Sequence, residues 1–121
     1  MFFWAHWCAD CKADVPTVAR VVEKYRKRGL TIIAPTRRYG VGQGGRPASP
    51  DKELRHLIDV RDTYYSFLRD EPVPVSEVNY EQYGVASIPM YVVIDKEGVI
   101  RLYHAGRMTE EDLEGVLQRL F

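Results

Sequence analysis

The only two cysteines of the chain, Cys8 and Cys11, stand two residues apart in W-A-H-W-C-A-D-C (4–11). Two thiols at this spacing can open and close a disulfide. The aromatic run at 2–6 reads as a strand, and a helical period begins at Ala9, so Cys8 falls at a helix N-terminus. Unpaired backbone N–H groups and the helix dipole stabilise an anion there. Cys8 is therefore predicted to be the thiolate, with a pKa below the value of about 8.5 for a free thiol. Cys11 lies one turn further in, within disulfide reach and more buried. The order of attack follows: Cys8 strikes a substrate disulfide, and Cys11 resolves the mixed disulfide. Asp10 sits between them. A carboxylate beside Cys8 opposes thiolate formation and favours the disulfide, which makes a better reductant. Asp10 also suits the first turn of a helix on dipole grounds alone. His6, two residues before Cys8, could assist proton transfer; the commoner role, which we expect here, is that of a partly exposed rim side chain.

The chain that must hold this pair has 121 residues, of which 45% are hydrophobic and 28% charged. That is one soluble domain with a single core. Seventeen basic and seventeen acidic side chains cancel, but residues 1–61 carry a net +6 and residues 62–121 a net −6. A neutral domain gives no footprint for nucleic acid. No apolar run approaches the ~20 residues of a membrane span, and the opening M-F-F-W lacks the features of a signal peptide. Two cysteines cannot complete a four-ligand zinc site, and Lys12 stands where a covalent haem site would need histidine. We therefore expect no metal and no organic cofactor beyond the redox-active disulfide, and a monomer.

Valines 15, 18 and 22 with Tyr25 give the first helix its apolar stripe, and Gly29 stops it. Leu30–Pro35 reads as a buried strand. Residues 36–50, with four glycines and no period, read as a flexible loop insertion. They lack the G-K-[ST] of a phosphate loop. Ser49 and Pro50 begin a second helix whose apolar face is expected to be Leu54, Leu57, Ile58, Tyr65 and Leu68. A short strand is expected at Val73–Val78. M-Y-V-V-I-D (90–95) and V-I-R-L-Y-H (99–104) form a hairpin about a turn at 96–98. Thr109 and Asp112 open a last helix with Leu113, Val116, Leu117 and Leu120 inward. The order β-α-β-α-β-β-α predicts an α/β fold: a mixed four-stranded central sheet with helices on both faces.

F-W-A-H-W-C-A-D-C-K-A-D-V-P (3–16) resembles the thioredoxin superfamily, and within it the TlpA/ResA-like pattern F-W-A-x-W-C-x-x-C-x-x-E-x-P, with Asp14 at the glutamate position. Y-G-V-A-S-I-P (83–89) followed by M-Y-V-V-I-D-K-E-G (90–98) resembles the family's second signature. The likeness covers nearly the whole chain. It implies a thioredoxin-like fold and a thiol–disulfide oxidoreductase acting through Cys8 and Cys11. It also implies a cis Pro89 opposite the cysteines, with the backbone of Ile88 free to pair with a substrate peptide. Trp7 is expected to shape the surface beside Cys8. Pro16 should kink the first helix by removing a hydrogen bond to Lys12.

The resemblance further implies protein thiol and disulfide substrates, apocytochromes among them, an upstream thiol electron donor at the membrane, and an extracytoplasmic location. Where thioredoxins often carry a buried acid, this chain has Phe2. The first strand starts several residues late for the family, which reads as a truncated N-terminus that has lost any leader or anchor. A redox-inactive thioredoxin-fold binding module is the alternative, and Trp7-Cys8 with Ile88-Pro89 weighs against it. A peroxide-reducing relative would need a separate peroxidatic cysteine. His56 and His104 are expected to be structural.

Overall fold

The computed structural model describes residues 1–121. In chain order the elements are β1 (Phe2–Phe3), α1 (Ala9–Arg26), α2 (Pro50–Tyr64), α3 (Glu77–Gln82), β2 (Met90–Ile94), β3 (Ile100–Ala105) and α4 (Glu110–Gln118). The strands form an antiparallel sheet in the order β1-β2-β3. Phe2 pairs with Tyr91 and Phe3 with Met90, so the hairpin lies beside the first strand as the sequence predicts.

Strand side chains alternate between faces, and each face has its own helices. Phe2 and Tyr91 pack with Val18, Val21 and Val22 of α1 and with Leu113 and Leu117 of α4. Phe3, Met90 and Val92 point the other way and enclose Tyr80 of α3. Phe3 and Tyr80 meet edge to face, 5.2 Å between centroids. Caps at Ser49 and Thr109 form as read, their hydroxyls accepting the amides of Lys52 and Asp112. α1 runs through Pro16 as one helix.

The expected fourth strand is corrected. Residues 30–36 run extended beside β1 but form no ladder. Phe2 and Trp4 donate to the carbonyls of Ile33 and Pro35 in the parallel sense, yet Pro35 has no N–H to return a bond. Ala34 and Thr36 in turn donate to the carbonyls of Pro72 and Pro74, and Pro74 again cannot reply. Only Thr36 and Val75 complete a parallel bridge. The sheet is therefore three strands flanked by one-sided, proline-limited pairing. The strand expected at Val73–Val78 is likewise corrected: after the bridge at Val75, Ser76 caps α3 by accepting the Val78 amide.

The inward face of α2 also differs. Leu54 and Ile58 are exposed, whereas Glu53, Leu57 and Val60 are buried. Tyr65 and Leu68 are buried but lie beyond the helix, at the C-cap and in a 3₁₀ turn. The glycine-rich segment carries hydrogen bonds of its own. Gly42 donates to Arg46 and Ala48 to Gly40, with a bridge between Val41 and Pro47.

Candidate active site

The redox turn hangs between β1 and α1. Trp4, fully buried, fixes its start: the indole N–H donates to Ala34 at 3.1 Å, and the ring lies 4.4 Å from that of Tyr65. The Trp4 carbonyl accepts the hydroxyls of Thr36 and Tyr80. Ala5 then accepts the Cys8 amide at 3.1 Å, which folds the turn back on itself.

Cys8 is the N-cap of α1. Its Sγ accepts the Cys11 amide at 3.1 Å, and the two cysteines are joined as a disulfide with Cα atoms 5.3 Å apart. Cys8 is 4% exposed and Cys11 0%, so both sulfurs lie in the core of the oxidised form. When the bond is open, a Cys8 thiolate would sit against the same amide and the positive end of an 18-residue helix. Asp10 is exposed in the first turn. Trp7 is half exposed, beside Cys8.

The Ile88–Pro89 peptide is cis. The β1–β2 register, Phe3 opposite Met90, carries Pro89 and Ile88 past the end of β1, the end from which the cysteine turn leaves. Pro89 is buried and accepts the Gly106 amide; the N–H and C=O of Ile88 take no partner within the chain.

His6 is not the rim side chain expected. It is 1% exposed, and its Nε2 lies 2.9 Å from the carboxylate of Glu53 on α2. The other ring nitrogen is buried without a partner, and the ring meets His56 edge to face at 5.1 Å. Glu53, itself 1% exposed, also accepts the amides of Tyr39 and Gly40 at 2.8 and 3.0 Å. Burial alone would raise its pKa, but the bonds from His6 and the two amides outweigh that and hold it below the usual carboxylate value.

Asp14 is the second buried acid. Its carboxylate accepts the Tyr91 hydroxyl at 2.6 Å, the Arg107 guanidinium at 2.6 Å and the Met108 amide at 3.1 Å. It ties α1 to β2 and to the segment leading into α4. Arg107 is held in its charged form chiefly by the Asp14 carboxylate, with Asp10 adding to it. His104 makes only a local contact with the Arg107 carbonyl.

The sequence reading missed Glu53 and left Asp14 without a role. Both carried a signal. Glu53 stands at i with Leu57 and Val60 at i+4 and i+7, and Asp14 stands between Cys11 and Val18 on the same stripe. A charged residue in register with buried apolar ones must find partners.

No family model matches the chain. Among curated proteins it is 29% identical over 112 residues to the thioredoxin-like protein YneN of Bacillus subtilis, covering 93% of this chain and 58% of that one. It is 25% identical over 118 residues to the thiol–disulfide oxidoreductase ResA of Bacillus anthracis, covering 98% and 60%. The chain thus spans less than two thirds of these relatives' own lengths. Among solved structures, DsbF of MTB superposes at a TM-score of 0.76 with 18% identity, over 99% of this chain and 78% of that one. The exposed lipoprotein thioredoxin Etrx1 of Streptococcus pneumoniae superposes at 0.70 with 25% identity, over 98% and 82%. A secreted disulfide oxidoreductase of Mycobacterium tuberculosis superposes at 0.72 with 18% identity, over 98% and 78%.

An α/β arrangement with a Cys-x-x-Cys pair capping its first helix, superposing on these structures, defines a thioredoxin-like fold. In sequence the chain is similar to ResA-type thiol–disulfide oxidoreductases. No helix is long and apolar enough to cross a membrane, and no three acidic, histidine or cysteine side chains converge as a metal site.

Proposed function

We propose that the chain exchanges disulfides with protein substrates through Cys8 and Cys11, working as a disulfide reductase. The observation that carries this is the cap: the sulfur of Cys8 accepts the Cys11 amide while the two residues close a disulfide at the N-terminal end of α1. In the forward direction the Cys8 thiolate attacks one sulfur of a substrate disulfide. The substrate S–S bond breaks, the departing sulfur leaves as a thiolate and takes a proton, and a Cys8–substrate bond forms. Cys11, deprotonated, then attacks Cys8. The mixed disulfide breaks, the second substrate thiol is released, and the Cys8–Cys11 bond closes. Two electrons pass to the substrate, and a dithiol donor returns them by the reverse sequence.

No metal or organic cofactor enters these steps. Trp7 and the unpaired backbone of Ile88 are the groups we assign to holding the substrate chain, Ile88 by adding it as a strand. Reduction rather than oxidation is favoured by Asp10, whose charge opposes a Cys8 thiolate. The exposed lipoprotein and secreted proteins among the structural relatives support an extracytoplasmic place of work. We assign the chain a monomeric state.

The test is the reduction potential of the Cys8–Cys11 couple, titrated in dithiothreitol and glutathione buffers. A reversible two-electron couple near or below about −250 mV supports a reductase, and a value near about −120 mV reverses the direction. No reversible couple would leave a redox-inactive binding module. Cys11→Ser is expected to accumulate the Cys8–substrate mixed disulfide, visible by non-reducing electrophoresis and mass spectrometry.

A further inference from the structure

Glu53 joins two segments that the sequence keeps far apart. One is the redox turn, through His6, which precedes Cys8 by two residues. The other is the start of the glycine-rich loop, through the amides of Tyr39 and Gly40. The consequence lies on the surface. With its backbone pinned by Glu53, Tyr39 sets its ring edge to face against Trp7, centroids 5.1 Å apart at 88°. Trp7 is half exposed and adjoins Cys8; Tyr39 is half-buried. The Arg37 guanidinium lies 4.7 Å from the centre of the Tyr39 ring. Arg37 is itself held by Glu77 of α3.

We propose that Tyr39 is a specificity-determining residue for exchange at Cys8 and that Glu53 is the positioning residue that sets it. This rests on the oxidoreductase reading above. The occupant is the polypeptide that flanks a substrate cysteine. Trp7 and Tyr39 together form an aromatic wall that begins at the residue preceding Cys8. A folded carboxylate buried at 1% exposure and bonded three times makes that wall rigid. A rigid aromatic contact costs little ordering on binding. A small disulfide, with no chain on either side, cannot use it.

The experiment compares two substrates with the intact chain: insulin, whose disulfides sit in polypeptide, and hydroxyethyl disulfide, which has none. For Tyr39→Ala the ratio of kcat/KM on insulin to kcat/KM on hydroxyethyl disulfide is expected to fall about tenfold, the worth of one aromatic contact, with KM carrying the change. Tyr39→Phe keeps the ring and is expected to restore the ratio. Glu53→Gln keeps part of the amide contacts and should lower the ratio by less. An unchanged ratio in Tyr39→Ala, or an equal loss in Tyr39→Phe, overturns the proposal. Failure of the unsubstituted chain to reduce either substrate would instead overturn the oxidoreductase reading on which it depends.

Discussion

Asp14 and Arg107, 93 residues apart in the chain, meet at 2.6 Å with the carboxylate buried and the guanidinium half exposed. The same carboxylate holds Tyr91 and Met108. Asp14→Ala leaves the Tyr91 hydroxyl and the Met108 amide without their acceptor. The expected loss is about 2–3 kcal/mol, from unsatisfied buried donors, measured by urea unfolding of the oxidised form. Arg107→Ala should cost less, because Asp14 keeps its two other donors. Equal losses would mean that the ion pair, rather than the buried network, carries the stability.

The Asp10 carboxylate adds to the effect of Asp14 on Arg107, so the Arg107 charge is expected to offset part of Asp10's effect on Cys8. In the reduced protein, Asp10→Ala is expected to lower the Cys8 thiol pKa and raise the reduction potential. Arg107→Ala is expected to do the reverse. The thiolate absorbance of single variants, followed against pH, reads both. An unmoved titration in Asp10→Ala would reduce Asp10 to a helix-dipole partner.

Glu53 predicts an acid limb. Its folded pKa lies below the unfolded value of 4.5. Its contribution is therefore complete above that pH and lost as the pH falls through the folded value. Stability should decline below pH 4.5, and Glu53→Gln should flatten the decline. Asp95, held down by the Val99 amide and then by Arg101, titrates in the same direction. Only the difference between the parent and Glu53→Gln isolates Glu53.

Three tyrosines predict an alkaline limb of opposite sign. Burial pushes Tyr65, Tyr80 and Tyr91 above the usual phenol value, and for Tyr91 the Asp14 carboxylate adds to it. A raised folded pKa gives stability that is complete below the unfolded value and is lost as the pH rises past it. Thermal midpoints should fall above about pH 10, with the tyrosinate absorbance of these three side chains appearing at the unfolding transition rather than before it.

Gly40 offers a test of the loop through its backbone alone. Its φ is +77° and a Cβ there would meet nothing within 4 Å. Gly40→Ala should therefore cost only the left-handed strain, about 1–2 kcal/mol. The tie between its amide and Glu53 would be strained with it. Insulin reduction should weaken relative to hydroxyethyl disulfide in this variant too.

Local chemistry was legible in the chain and long-range satisfaction was not. The cysteine cap, the hairpin about 96–98 and the caps at Ser49 and Thr109 each depend on residues within a few positions of one another. The extended run at 30–36 misled because its side chains fit a strand while Pro35 and Pro74 deny it the reciprocal bonds. The face of α2 misled because Leu54 and Ile58 outweigh Glu53 on any count of apolar character. Only the partners, His6 with Tyr39 and Gly40, explain why a carboxylate takes the inward position. His6 was misplaced for the same reason.

The full burial of Cys11 behind a nearly buried Cys8 has a consequence for oxidative damage. A peroxide meeting the reduced protein reaches Cys8 first and converts its thiolate to a sulfenic acid. Cys11, one turn away and shielded from the oxidant, displaces the hydroxyl as water and closes the disulfide. That capture competes with further oxidation of Cys8 to the irreversible sulfinic acid. Under the proposed exchange chemistry the buried partner would act as an internal scavenger, turning a lesion into the oxidised state from which a dithiol can recover the protein.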